Sequence, residues 1–143
     1  MWPRRTQAIQ IKTPEQLAIM REAGLVVAHT LQVVAAAVRP GVSTAELDAL
    51  AGREIRAAGA SPSFLGYHGY PATICTSVND EIVHGIPSPA RHLNEGDIIS
   101  IDCGAIVGGW HGDAAVTVGV GALSAEHAAL LSVCEAALRP FVR

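Results

Sequence analysis

Asp102 and Asp113 lie on either side of a Gly108-Gly109 pair, an arrangement that can give two carboxylates a common face. A Gly-Gly pair between two β-branched, apolar runs reads as a two-residue hairpin turn. If Val107 and Trp110 close that turn, Asp113 falls opposite Gly104 and Asp102 opposite Ala115. Side chains alternate across a strand, so both aspartates project from one face as diagonal neighbours, with backbone positions about 7–8 Å apart. Carboxylates leaning together across such a gap can hold metal ions about 3.5–4 Å apart. A slip of one residue in register would put them on opposite faces. Aspartates near strand ends also serve as solvated groups or local caps, and the hairpin pattern alone leaves that reading open. Two features favour metal. Ile99, Ile101, Val107, Val116 and Val118 predict a largely buried hairpin, where unpaired carboxylates are costly. Gly104, opposite Asp113, leaves open space for an ion.

The histidines divide by context. His84 sits in Val83-His84-Gly85-Ile86-Pro87, where a structural hydrogen bond and a catalytic role are both open. His68 lies in an aromatic loop, Tyr67-His68-Gly69-Tyr70-Pro71, able either to line a pocket or to pack as core. Strand parity puts His111 on the face of Asp113 and makes it a candidate ligand. His29 falls off its helix's apolar stripe and is expected in solvent, while His92 and His127 flank turn or cap positions and read as structural. Ile101-Asp102-Cys103-Gly104 is a partial match to the Asp-Thr/Ser-Gly of aspartic proteases, and too short to carry that reading.

The elements that must position these groups can be read from caps and periodicity. Thr13-Pro14-Glu15-Gln16 opens a first helix with a capping box. Leu17, Met20, Gly24, Val27, Leu31, Val34 and Val38 form its stripe, and Arg39-Pro40-Gly41 stops it. Ser43-Thr44-Ala45-Glu46 starts a second helix with Leu47, Leu50, Ala51, Ile55 and Ala58 on one face, and Gly59 as end cap. Residues 61–71 read as a loop. Thr73–Val78 and Ile82–Ile86 read as short strands joined at Asn79-Asp80, and Asn94–Asp97 as a turn. Ile98–Val107 and Trp110–Val118 are the hairpin arms. Ser124 caps a last helix whose Leu130, Leu131, Cys134 and Leu138 are expected to be buried. Two helices, an antiparallel sheet and a further helix make an α+β fold.

Composition sets the outer bounds. The chain of 143 residues fits one domain, and 50% apolar with 16% charged residues argues against disorder. A formal net charge of -3 gives no reason to expect nucleic acid as a partner. Cys75, Cys103 and Cys134 spell neither a disulfide framework nor a CxxC knuckle, and point to a reducing compartment. The basic Met1–Arg5 start lacks the apolar stretch of a signal peptide. The run Ala23–Val38, broken by His29 and Gln32, is shorter than the roughly 20 residues of a spanning helix. A cytoplasmic, membrane-free protein is the expectation.

Three motifs then add what spacing does not supply. They are Gly66-Tyr67-His68-Gly69-Tyr70-Pro71, the run from Ser77-Val78-Asn79-Asp80 to His84-Gly85-Ile86-Pro87, and Gly96-Asp97 through Ile101-Asp102 to His111-Gly112-Asp113. Together, from about Lys12 to about Leu138, the chain resembles type I methionine aminopeptidases, most of all actinobacterial ones. The resemblance implies the pita-bread fold, two pseudo-symmetric α+β halves with the active site between them. It also implies removal of the initiator methionine from nascent polypeptides by two divalent metal ions acting as Lewis acids. Manganese, iron, cobalt and zinc all suit such oxygen-rich sites.

By motif match Asp102 would chelate one metal, Asp113 would bridge both, and His84 would bind the substrate backbone. Phe64, Tyr67, Tyr70 and Cys75, with His68 in the same loop, would line the methionine pocket; Phe64 replaces a cysteine of some relatives. The family does not use His111 as a ligand. Residues 1–12 would be an amino-terminal extension and 13–143 the first lobe. The family's other ligands, one histidine and two glutamates, belong to a second lobe outside this sequence. A single incomplete domain, inactive alone and prone to self-association through its exposed lobe interface, is therefore expected. A non-catalytic pita-bread relative that binds peptides or proteins, and an aminopeptidase P or prolidase relative, are the alternatives. Retention of Asp102, Asp113 and His84 weighs against the first, and the Tyr-His-Gly-Tyr-Pro and Val-His-Gly-Ile-Pro segments against the second.

Overall fold

The computed structural model describes residues 10–141, so most of the amino-terminal extension expected at 1–12 lies outside the described residues. Helix α1 spans Pro14–Ala37, and the Thr13/Gln16 capping box is formed in both directions, at 3.3 and 3.0 Å. Its buried residues are Ala23, Val27, Thr30, Leu31 and Val34. The buried stripe thus begins further along than the sequence suggests, and Leu17 is exposed. At Ala23 and Gly24 the helix backbone itself meets the sheet: a Cβ on Gly112 would lie 2.6 Å from their backbone atoms. By length and composition α1 could cross a membrane, but its apolar face is laid against the sheet.

Helix α2, Thr44–Ala57, repeats the device with Ser43 and Glu46, whose reciprocal bonds measure 3.3 and 2.8 Å. It buries Thr44, Leu47, Ala51, Gly52 and Ile55, while Leu50 is only partly buried and Ala58 is the C-cap. Gly59 follows at φ +74°, the left-handed geometry its position requires.

The sheet is antiparallel throughout, and its hub is β3, Ile98–Val107. Along one edge of β3 run β1, Ser61–Pro62, and β2, Ile74–Val78; along the other runs β4, Trp110–Gly119. Ile99, Ile101, Cys103 and Ala105 of β3 are fully buried in the core with α1 and α2. The opposite face carries Ser100, Asp102 and Gly104, with Thr117, Ala115 and Asp113 across from them on β4.

Four expectations need correction. Residues 61–71 contain the short strand β1, held by pairing with Ala105 and Ile106. Residues 82–86 form no strand: one backbone–backbone bond, Thr76 N–H to the Gly85 carbonyl at 2.9 Å, ties the segment to β2, and Ile82 is 90% exposed. The hairpin is buried mainly on β3, since Asp113, Ala114, Ala115 and Thr117 of β4 are exposed. Helix α3, Ala125–Leu138, is capped by Ser124 as expected, yet none of its residues is buried. Leu130, Leu131, Cys134 and Leu138 border a groove of about 420 Å³ against the sheet instead of closing onto it.

Candidate active site

The register across β3 and β4 places Asp102 opposite Ala115 and Gly104 opposite Asp113. It follows from the turn, where Gly108 and Gly109 both take positive φ, 54° and 81°. The two carboxylates are therefore diagonal neighbours on one face. Asp102 is half-buried, and its Oδ1 is buried with no hydrogen-bond partner. Burial pushes the Asp102 carboxyl above its ordinary range and the Asp113 charge adds to that, while His84 draws it down. A buried carboxylate oxygen with no protein partner, beside a second carboxylate, offers the hard oxygen donors that suit a divalent ion. The pair fits a metal as part of a ligand set: among the described residues, no group of three or more His, Cys, Asp or Glu side chains converges. The open space expected at Gly104 is filled. A Cβ there would lie 2.8 Å from both Phe64 Cε1 and Ser63 Cβ, so the missing side chain makes room for the Phe64 loop.

His84 reaches the site from the segment beside β2, and its backbone is left-handed at φ +59°, uncommon for a residue with a Cβ. What holds it is Gly85. A Cβ at Gly85 would sit 2.1 Å from the Thr76 carbonyl oxygen, so only glycine lets the segment pack this tightly on β2. The Gly85 N–H donates to Ser77 Oγ at 3.1 Å. The Tyr70 hydroxyl lies 3.2 Å from the Gly85 carbonyl and 3.1 Å from that of Ile74, and donates toward both.

A cleft of about 570 Å³ opens on this face, and the eight site residues that the motif resemblance implied all line it. Its polar lining comes from Asp102, Asp113 and His84, and the aromatic and sulfur-bearing lining, the wall, from Phe64, Tyr67, His68, Tyr70 and Cys75. Tyr67 and His68 meet edge to face at 4.4 Å between ring centroids, in a single 3-10 turn at Tyr67–Gly69. Cys75 stands directly across from Asp102 on β2, and burial raises its thiol's pKa. Ile86 also lines the cleft; its place two residues after His84 was the signal available. His111 does not line it: its Nδ1 lies 3.1 Å from Ser63 Oγ. His29 is exposed and pairs with Glu54 at 3.3 Å, and His127 Nδ1 donates to the Gly96 carbonyl.

An α+β lobe carrying an acidic pair, a histidine and an apolar wall in one cleft is the pattern of a metal-dependent peptidase. The chain belongs to metallopeptidase family M24, whose sequence description matches residues 18–142. Within that family it is similar to methionine aminopeptidases. It is 54% identical over 127 residues to methionine aminopeptidase 1 of Mycobacterium tuberculosis, covering 89% of this chain and 48% of that protein. It is 53% identical to methionine aminopeptidase 1 of Bacillus subtilis, covering 89% and 51%. The methionine aminopeptidase structure from Thermotoga maritima superposes with a TM-score of 0.91 at 38% identity, covering 93% of this chain and 53% of that one. The Xaa-Pro dipeptidase of Bacillus anthracis superposes at 0.71 with 26% identity, covering 82% and 32%. The chain spans about half the length of the curated relatives it matches. Its fold is the α+β fold that methionine aminopeptidases and Xaa-Pro peptidases share.

Proposed function

We propose that this chain forms the first half of the active cleft of a methionyl aminopeptidase, one that removes amino-terminal methionine from nascent polypeptides. The observation that carries the reading is the gathering of Asp102, Asp113, His84 and an aromatic, sulfur-bearing wall in one cleft. Asp102 and Asp113 would hold two divalent ions, drawn from manganese, iron, cobalt or zinc. When bound, such ions supply Lewis acidity that polarises a scissile carbonyl and acidifies water. The chain's own residues bind and orient. Phe64, Tyr67, Tyr70 and Cys75 offer the apolar, polarisable surface that a thioether side chain favours. His84, held on its clamped backbone, hydrogen-bonds the substrate's peptide group. Two carboxylates alone hold ions weakly, so the chain by itself is nearly inactive.

The three free cysteines suit the reducing cytoplasm, where nascent chains are met. The exposed Leu130, Val133 and Leu138 of α3 make the chain prone to self-association.

Calorimetric titration of the chain with Met-Ala-Ser and with Ala-Pro-Ser, in the presence of manganese, tests the reading. Preferential binding of the methionine peptide is expected; equal or stronger binding of the Xaa-Pro peptide would favour the dipeptidase-like reading instead.

A further inference from the structure

A carboxylate outside the cleft is hydrogen-bonded to the backbone that leads into the cleft wall. Asp48 lies on α2, and its Oδ1 accepts two backbone hydrogen bonds, from Thr73 N–H at 2.7 Å and Ile74 N–H at 3.0 Å. Both donors are buried, and buried N–H groups require partners. They stand where the aromatic loop turns into β2, since the ladder to β3 begins at Ile74. One helical turn further on, α2 again approaches closely: a Cβ on Gly52 would lie 3.2 Å from Thr73 Oγ1.

The Ile74 residue is thus held from both sides. Its N–H is fixed by Asp48, and its carbonyl accepts from the Tyr70 hydroxyl, which also reaches the Gly85 carbonyl next to His84. A continuous run of hydrogen bonds leads from the α2 carboxylate through β2 and Tyr70 to the histidine segment. Hydrogen bonds to a charged acceptor are the stronger kind, and a carboxylate anchored in a helix supplies a fixed reference point.

We propose that Asp48 is a positioning residue for the cleft, fixing the Thr73–Ile74 backbone and through it Tyr70, Cys75 and the His84 segment. The functional consequence rests on the reading of the cleft as a methionine site; the positional one does not.

Asp48→Ala and Asp48→Asn in the 143-residue chain test this, read by the NMR signals of the Tyr70 and His84 rings and by L-methionine titration. Asparagine keeps an acceptor oxygen in place. It should leave the ring signals near those of the parent chain and affinity within about twofold, whereas alanine should move both rings and weaken binding at least about tenfold. Unmoved Tyr70 and His84 signals in Asp48→Ala overturn the proposal. If the parent chain binds no L-methionine, the methionine reading fails while the ring signals still decide the role of Asp48. Should Asp48→Ala not fold, Asp48→Glu decides: a carboxylate one methylene longer must displace the Thr73–Ile74 backbone, and unmoved rings there overturn the proposal.

Discussion

Cys75 on β2 and Asp102 on β3 are direct cross-strand partners, so the wall of the cleft and its acidic centre share one rung of the sheet. Asp113 stands one step along, opposite Gly104. A change in the register of β3 therefore disturbs the wall and the carboxylates together, because the same strand pairs with both neighbours.

The acidic centre should show itself in metal binding. In calorimetric titrations with manganese, we expect weak binding by the parent chain and at least about a tenfold loss in either Asp102→Ala or Asp113→Ala, since each removes half of the oxygen donors. Binding indifferent to both changes would remove the aspartates from the ligand set.

In the absence of metal, Asp102 should make the chain less stable as pH rises. Its carboxyl is raised in the fold, by burial first and by Asp113 second. A raised acid favours the folded state fully below its unfolded pKa, and that contribution is lost as pH rises through the folded value. Asp102→Asn should therefore unfold at higher urea than the parent chain at pH 7 in chelator. The gap should close below about pH 4, where the unfolded carboxyl is itself protonated. A gap that widens on acidification would contradict the assignment.

The histidine segment should depend on Tyr70 for its hold. Tyr70→Phe keeps the ring but removes the hydroxyl between Ile74 and Gly85. We expect a loss of about 1 kcal/mol in denaturant unfolding, with faster amide exchange at Thr76, whose N–H bonds the Gly85 carbonyl. Unchanged exchange at Thr76 would mean that Gly85 alone keeps the segment in place.

Glycine substitutions should rank by what the new methyl group meets. At Gly85 it meets the Thr76 carbonyl and at Gly112 the α1 backbone, neither of which can swing aside. Gly85→Ala and Gly112→Ala should each cost about 1–3 kcal/mol or more. At Gly104 the neighbours are the Phe64 ring edge, which can turn, and Ser63 Cβ, which moves only with its own backbone. Gly104→Ala should therefore cost somewhat less in stability while displacing Phe64 in the cleft. Thermal unfolding of the three variants checks the order.

Much of this could be read from local chemistry. Thr13 with Gln16, Ser43 with Glu46, and Ser124 each announced a helix start, because a cap is a contact between residues three apart. Gly108-Gly109 gave the hairpin, and the hairpin gave the Asp102–Asp113 diagonal. What escaped was decided at long range. Ile82, Val83 and Ile86 have strand-forming side chains, but the segment is pinned to β2 through Gly85 and leaves all three exposed. The space at Gly104, opposite Asp113, is taken by Phe64, which follows β1 directly and is placed by the pairing of β1 with β3. Leu130 and Leu138 have the spacing of a buried stripe, yet periodicity says only that a face is apolar, not that it finds a cover.

α3 bears on how the chain comes apart. Cooperative unfolding arises where elements share buried surface, and α1, α2, β2 and β3 all contribute to one core. α3 contributes no buried residue to it; its base is fastened by His127 on Gly96 and by Leu123 over Gly119, and the rest of the helix leans on the sheet. It should therefore open at lower free energy than the elements that share that core, leaving the strand that carries Asp102 closed.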